Sequence, residues 1–187
     1  MGIIFVIIIA IFIVCCIIKY NRFIEIKHDI QNSWSTIDSI LNQRHDVLPK
    51  LIDICTQHLS TEEHLTLEDV TNARTAVSKA RQSGNISALA DAENTLRVNQ
   101  SNLMAITDQY PQLQTDHAFQ KVKENLNYLE SELSIECELY NEAVQMHNIL
   151  LEQFPALVVA RIFNFTTQLP LTLSTNGYST HALEMDD

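Results

Sequence analysis

The chain has 187 residues, with 12 lysines and arginines against 23 aspartates and glutamates, and its net charge at pH 7 is -11. This acidic balance argues against nucleic-acid binding, which depends on basic side chains that neutralise phosphates. Three glycines in the whole chain also exclude the glycine-rich loops that cradle nucleotides and the Gly-x-Ser-x-Gly turn of serine hydrolases.

The first predicted element is the uncharged run MGIIFVIIIAIFIVCCII, residues 1–18. As a helix it measures about 27 Å, enough to cross the hydrocarbon core of a bilayer. A cleaved signal peptide would need a basic region before the run and a small-x-small cleavage site after it, and the sequence shows neither. We therefore expect residues 1–18 to be an uncleaved, single-pass transmembrane anchor.

Basic residues follow the anchor immediately, at Lys19, Arg22 and Lys27, and none precedes it. The positive-inside rule then places the C-terminal side in the cytoplasm and the N-terminus outside. The predicted location is the cell (inner) membrane, with the bulk of the chain cytoplasmic.

Residues 19–170 are predicted to form one cytoplasmic helical domain. Apolar residues at steps of three and four indicate four helices, over residues 19–58, 61–83, about 86–110 and 115–154. Ser60 and Glu63 are spaced to cap the second helix, and Gly84 separates the second from the third. The predicted fold class is all-α: a transmembrane helix followed by an antiparallel four-helix bundle with long first and last helices.

The stretch LNQRHDVLPKLID, residues 41–53, places a histidine and a carboxylate side by side within the first helix. Neighbouring residues on a helix point to different faces, so His45 and Asp46 do not form a catalytic pair with a nucleophile. Pro49 lacks an N–H and is expected to bend the helix or to restart it, with Asp46 as a local cap. We expect no enzymatic activity.

One Glu-x-x-His spacing, Glu25 to His28, resembles half of a di-iron carboxylate site. Such a site needs a second pair and two further glutamates, and the chain offers no second pair. We therefore expect no metal, no cofactor and no catalytic residue.

The first and fourth predicted helices are longer than the others, so they extend beyond the bundle as a two-helix stem. Its seam is the predicted interaction surface: Phe23, Ile26, Ile30, Trp34, Tyr140, Val144, His147 and Leu151. The alternative is that residues 156–169 fold back over it. That segment is expected either to lie along the membrane interface or to cap the bundle. Residues 171–187 are predicted to be a disordered acidic tail that packs on nothing.

Five blocks of the chain are characteristic in their composition and order: residues 20–53, LEDVTNAR (67–74), residues 92–113, LYNEAVQMHN (139–148) and FPALVVARIFNF (154–165). Together these blocks resemble the LemA family of membrane-anchored bacterial proteins. The positions that carry the resemblance are Tyr20, Asn21, Trp34, Asp38, Arg44, His45, Asp46, Pro49, Ala73, Arg74, Tyr110, Pro111, Glu130, Tyr140, Asn141 and Pro155. Cys137 stands where the family usually has an arginine.

The resemblance implies one membrane span, a mostly helical cytoplasmic domain and no established enzymatic activity. We interpret the protein as a non-catalytic interaction or scaffold protein with coiled-coil helices that binds an unidentified protein partner, and a homo-oligomer is left open. Two alternatives also follow from the resemblance. One is a membrane-shaping or compartment-organising protein of the magnetosome type, and the other is an accessory subunit of a membrane protease.

Overall fold

The computed structural model describes residues 2–173. They form six α-helices and one 3-10 turn: α1 Gly2–Thr56, the turn Thr61–Glu63, α2 His64–Ser83, α3 Ile86–Thr107, α4 Pro111–Thr115, α5 His117–Glu152 and α6 Ala156–Ile162. No strand occurs within these residues. The predicted all-α class and the long apolar N-terminal helix are therefore confirmed. The short helix α4 had not been predicted as a separate element, and α6 occupies the first part of the segment predicted over residues 156–169.

Helix α1 has 55 residues and runs through Pro49 without interruption. The alternative of a helix restart at Pro49 is therefore wrong, and Asp46 lies exposed within the helix instead of capping a new one. Among the described residues, the N-terminal part of α1 is one stretch long and apolar enough to cross a membrane, and none of its residues is fully buried. This candidate span coincides with the predicted anchor.

The described chain divides into two compact units, and the single domain expected over residues 19–170 stays a prediction. The first unit comprises residues 2–44 and Ser131–Leu171. Its interior contains aliphatic and aromatic side chains from α1, α5 and α6: Phe23, Ile26, Ile37, Leu133, Tyr140, Val144, Ala156 and Val159. These residues recur at helical spacing, so each helix presents one apolar face to this interior.

The second unit comprises His45–Glu130 and, among the described residues, Thr172 and Leu173. Its interior is also aliphatic, with contributions from each of its longer helices: Leu48, Leu51, Val70, Val77, Leu89, Leu96, Leu103, Phe119 and Leu126. Helices α2 and α3 pack against each other within this unit.

Local capping signals determine where the helices of the second unit begin and end. The Glu63 carboxylate accepts from the Ser60 backbone N at 2.9 Å, which confirms the predicted reach of Glu63 back to Ser60. Gly84 has a φ of 65°, the left-handed conformation that glycine adopts without strain, and it ends α2. Asn85 then begins α3, because its side chain accepts from the backbone N of Ala88 at 3.1 Å.

The chain leaves α5 at Glu152, forms the seven-residue helix α6 and continues as a non-helical segment, here called the return segment (residues 163–171). Leu171 is buried, with 1% of its surface exposed. The predicted tail boundary at residue 171 is therefore too early, because Leu171 belongs to the interior of the first unit. The remaining part of the predicted tail, residues 174–187, lies outside the described residues.

Candidate functional site

The eight residues of the predicted interaction surface all lie in the first unit, and most of them are buried there. Phe23, Ile26, Ile30, Tyr140, Val144 and His147 are each at most 9% exposed, and Trp34 and Leu151 are half-buried. Phe23 forms one buried cluster with Ala156, Val159 and Ala160 of α6. The predicted surface is thus an interior, covered by the chain that follows Pro155.

Aromatic rings fill the space between α1, α5 and the return segment. The ring of Phe165 stacks on that of Phe23, with centroids 4.6 Å apart and planes 12° apart. His147 meets Phe23 edge-on at 5.6 Å, and Trp34 meets Tyr140 at 5.8 Å. Two packed helices leave an apolar seam open to solvent along their sides, and a third layer that covers it removes this area from water.

Two asparagine side chains of α5 hold the main chain of the return segment. Asn141 donates from Nδ2 to the Leu171 carbonyl oxygen at 2.9 Å and accepts at Oδ1 from the Leu171 N–H at 2.8 Å. Asn148 makes the same pair of bonds with Gln168, at 2.9 Å each. Seven helical residues rise about 10.5 Å, and three residues of extended chain span about 10 Å. Both amides can therefore bind one segment simultaneously.

Tyr140 and His147 add two further bonds on the same face of α5. The Tyr140 hydroxyl donates to the Leu169 carbonyl oxygen at 3.1 Å, and His147 Nε2 lies 3.0 Å from that of Thr166. A carbonyl oxygen only accepts, so Nε2 carries the donated hydrogen. Burial raises the pKa of Tyr140, which keeps its hydroxyl protonated as a donor.

The sequence contains a signal for this arrangement that was not used. Within α5, an aromatic or histidine residue followed by asparagine occurs twice, seven residues apart, as Tyr140-Asn141 and His147-Asn148. A seven-residue repeat places both pairs on one helix face. Asn141 was recognised only as a family position, and Asn148 was missed.

The outward face of α5 in the first unit carries a second apolar stripe, which sequence reasoning also missed. Its large side chains are exposed by 43–52%: Ile135, Leu139, Met146 and Ile149. With Glu142 between them, these positions follow steps of four, three, four and three, which is the spacing of a coiled-coil seam. We call these five residues the outer stripe. The buried apolar face of α5 is more regular in hydrophobicity, so periodicity alone predicts that face and not the outer stripe.

The surroundings of the outer stripe are acidic. Glu136 and Glu138 flank the stripe on the same helix, and Glu142 lies within it. No lysine or arginine occurs between Lys123 and Arg161. A helix that packs along the outer stripe would therefore meet apolar side chains bordered by negative charge.

The second unit contains a polar cluster that explains why His45, Pro49 and Arg74 occur together. Pro49 has no N–H to donate to the carbonyl oxygen of His45, four residues earlier. Arg74 of α2 donates from Nε to that oxygen at 3.1 Å, and its Nη2 lies 2.8 Å from His45 Nε2. The guanidinium of Arg74 thus replaces the missing hydrogen bond to the His45 carbonyl oxygen and also binds the His45 ring.

The tautomer of His45 follows from its neighbours. Arginine only donates, so His45 Nε2 accepts and Nδ1 carries the hydrogen. Nδ1 lies 3.3 Å from Ser78 Oγ, which can accept that hydrogen. Burial, and then the positive charge of Arg74, lower the pKa of His45, and Asp46 opposes this shift. The folded protein therefore favours the uncharged form of the His45 ring, which accepts the hydrogen bond from Arg74.

The other family positions are divided between the two units. Within the second unit, Arg97 pairs with Glu130, and the Tyr110 hydroxyl donates to Glu63 beside the start of α2. Ala73 is buried in this unit, Pro111 occupies the first turn of α4, and Asp46 is exposed. Positions that fall in the first unit include Tyr20, Asn21, Trp34, Asp38, Arg44, Tyr140, Asn141 and Pro155, of which Arg44 is buried and Asn21 exposed.

The residues considered for a metal site do not converge. Glu25 and His28 are both exposed on α1, and Glu25 pairs with Arg22 at 2.7 Å. Among residues 2–173, no group of three or more histidine, cysteine or acidic side chains is placed to hold a metal ion.

Comparisons with known proteins give one family and several distant relatives. A model of the LemA family matches residues 33–181. Two magnetosome proteins of Paramagnetospirillum magneticum, MamQ 1 and MamQ 2, are each 23% identical to the chain over 177 residues. The magnetosome protein MamQ of Magnetospirillum gryphiswaldense is 21% identical over 177 residues. Each alignment covers 82% of this chain and 65% of the relative, so the chain spans less than two thirds of their length.

Proposed function

The chain belongs to the LemA family, and from this premise and the geometry of α5 we propose that it is a non-catalytic, membrane-anchored interaction protein. It holds a basic, amphipathic helix of a partner protein along the outer stripe of α5. The family match supports the proposed class of protein, and the outer stripe supports the proposed position of the binding surface.

The outer stripe is the observation on which this proposal rests. Exposed apolar residues scattered singly are normal, but a line of large side chains at steps of three and four matches the way one helix packs on another. Burial of such a line against a partner helix removes apolar area from water at about 25 cal/mol per Å². The acidic flanks favour a basic partner helix over a second copy of the same helix, in which like charges would face each other.

The absence of catalysis is part of the proposal, and the use of the polar side chains supports it. His45, His147 and Tyr140, which could serve as acids or bases, each bind main-chain or neighbouring side-chain atoms that fix the fold. A side chain whose hydrogen bonds hold the fold is poorly placed to exchange protons with a substrate.

The location is also a proposal. We propose that residues 1–18 span the inner membrane once, with the N-terminus outside and the rest of the chain in the cytoplasm. The exposed apolar stretch at the start of α1 and the basic residues Lys19, Arg22 and Lys27 support this topology.

We further propose that the helical segments of the second unit form an antiparallel four-helix bundle. Polar bonds between its helices support this arrangement. Arg74 of α2 binds His45 of α1, Asn99 of α3 donates to the Asp69 carbonyl oxygen of α2 at 3.1 Å, and Arg97 of α3 pairs with Glu130 of α5.

Site-specific photo-crosslinking in intact membranes tests the interaction function. A photoreactive phenylalanine analogue replaces Leu139 or Met146 in the outer stripe. As the control it replaces Ser134, an exposed residue of α5 about 100° around the helix from Ile135. We expect a discrete adduct at both stripe positions and none at Ser134, and a Met146→Glu substitution should abolish the adduct formed through position 139. Equal labelling at Ser134, or no adduct at either stripe position, would contradict the proposal.

Mass spectrometry of the adduct separates the remaining candidates. One protein bound through a basic helix supports the interaction function, and a dimer of the chain identifies a homo-oligomer. A membrane protease as the partner would identify an accessory subunit. The likeness to magnetosome proteins favours a second candidate function, the organisation of a membrane compartment, and chains of higher oligomers would identify it.

A further inference from the structure

Helix α6 and the start of the return segment leave large apolar side chains exposed beside the proposed anchor. Ile162 is 66% exposed and Phe163 is 54% exposed. The same segment buries Ala156, Val159 and Ala160 against Phe23 of α1. It therefore packs on α1 through one face and presents apolar side chains to its surroundings through another.

The contacts of this segment place it at the end of the apolar run of α1. The ring of Tyr20 lies 4.6 Å from that of Phe163, and Cys16 packs against the buried cluster that contains Ala156. Residues 16 and 20 of a helix differ in height by about 6 Å. The polar interface on each side of a bilayer core is about 5–8 Å thick. If residues 1–18 span the membrane, the exposed side chains of the segment lie at the level of this interface.

We propose that residues 156–165 lie in the interface of the bilayer that the anchor crosses, with Ile162 and Phe163 inserted among the phospholipids. This inference rests on the proposed anchor. Continuity with the span identifies the occupant as lipid, because a protein partner at this level would have to displace the bilayer around α1. The exposed Arg161 provides a cation for a lipid phosphate, and Tyr20 has the amphipathic ring that is enriched at this depth.

The depth of single tryptophans in the full-length protein tests this inference. In a Trp34→Phe background reconstituted in phosphatidylcholine vesicles, tryptophan is placed at Phe163, at Phe12 in the anchor or at Leu139 on α5. Position 139 is a matched exposed control that lies farther from the anchor. Its neighbour Tyr140 contacts Trp34 of α1. Trp34 is 14 residues beyond Tyr20, which is about 21 Å along the helix. Emission is compared between ordinary lipid and lipid brominated near the headgroup end of its acyl chains.

We expect bromination to lower the emission of Phe163→Trp about twofold, as for a side chain 5–10 Å into the headgroup and acyl boundary. The Leu139→Trp emission should respond to aqueous acrylamide alone. If Phe163→Trp behaves like Leu139→Trp while Phe12→Trp is quenched by the brominated lipid, the inference fails and the anchor stands. If Phe12→Trp is not quenched, the anchor fails, and the response of Phe163→Trp by itself then decides whether the segment contacts lipid.

Discussion

Arg74 donates from Nε to the carbonyl oxygen of His45 at 3.1 Å, and this is the oxygen that Pro49 leaves without its helical donor. The proline and the arginine are separated by 25 positions in sequence, and Arg74 provides the donor that Pro49 lacks. Without Arg74, the helix would carry an unpaired carbonyl where α2 packs against it, and unpaired buried polar groups are costly.

A double-mutant cycle tests this relationship. Arg74→Met should lower the free energy of unfolding by about 1.5–3 kcal/mol, the range for hydrogen bonds that involve a charged group. The loss should be smaller in a Pro49→Ala chain, because the alanine N–H restores the donor to the His45 carbonyl oxygen. Urea unfolding in detergent micelles, followed by circular dichroism, measures both losses. Lys79→Met on the exposed side of α2 is the control, and equal losses from Arg74→Met in the two backgrounds would show that the residues act independently.

The second prediction concerns pH and His45. Burial and Arg74 hold the pKa of His45 below its ordinary value of 6.5, so the folded protein favours the neutral ring. As pH falls, His45 is protonated in the unfolded chain at a higher pH than in the folded protein, and the free energy of unfolding decreases. The contribution of His45 is therefore complete above pH 6.5 and is lost as pH falls from there through the folded pKa. Melting temperatures at several pH values should show a shallower acid decline for His45→Gln than for the wild type. His28→Gln, which changes an exposed histidine, should keep the wild-type slope.

The third prediction concerns the two hydrogen bonds between the Asn141 side chain and the Leu171 main chain. Asn141→Asp removes the Nδ2 donor and places a carboxylate beside the Leu171 carbonyl oxygen, so the return segment should detach locally. Hydrogen exchange followed by mass spectrometry should show faster exchange over residues 163–171. The same change at the exposed Asn127 of α5 should leave that region protected. Unchanged protection in Asn141→Asp would mean that the other hydrogen bonds and the apolar packing hold the segment without Asn141.

The fourth prediction concerns Leu171 and Leu169, which lie two residues apart in the return segment with opposite burial. Leu171 is 1% exposed and Leu169 is 63% exposed. Leu171→Ala should cost about 2–5 kcal/mol of stability because it leaves a cavity. Leu169→Ala should change stability by no more than about 0.5 kcal/mol. Urea unfolding of the full chain in micelles measures both, and equal effects would contradict the buried position of Leu171.

The fifth prediction concerns topology. Cysteine at the exposed Ser39 should resist a membrane-impermeant thiol reagent in whole cells and react after lysis, since the positive-inside rule places it in the cytoplasm. Cys15 and Cys16 are replaced by alanine for this test. Cys55 is buried, and burial raises its pKa to about 11, so its thiol is a poor competitor for the reagent. Labelling of Ser39→Cys in intact cells would reverse the orientation.

Local features of the fold were predictable because they depend on near neighbours in sequence. The reach of Glu63 back to Ser60, the turn at Gly84 and the inner apolar face of α5 each involve residues at most four positions apart along one helix. The position of the long apolar run at the start of α1 followed in the same way from composition. The interaction surface was predictable only as a set of apolar residues, since periodicity shows that a face is buried without showing what covers it.

The sequence by itself determined the helical class, the apolar run, the main helix boundaries and the family, because hydrophobic period, glycine and capping residues act over single turns. Only the tertiary structure decided that α1 continues through Pro49, that the return segment closes over Phe23, and that a second apolar stripe of α5 stays exposed. In the first two cases a partner distant in sequence makes the difference: Arg74 for the His45 carbonyl oxygen, and Asn141 and Asn148 for the return segment. A hydrogen bond that closes a loop of tens of residues leaves no periodic trace in the chain, because it depends on where two helices meet.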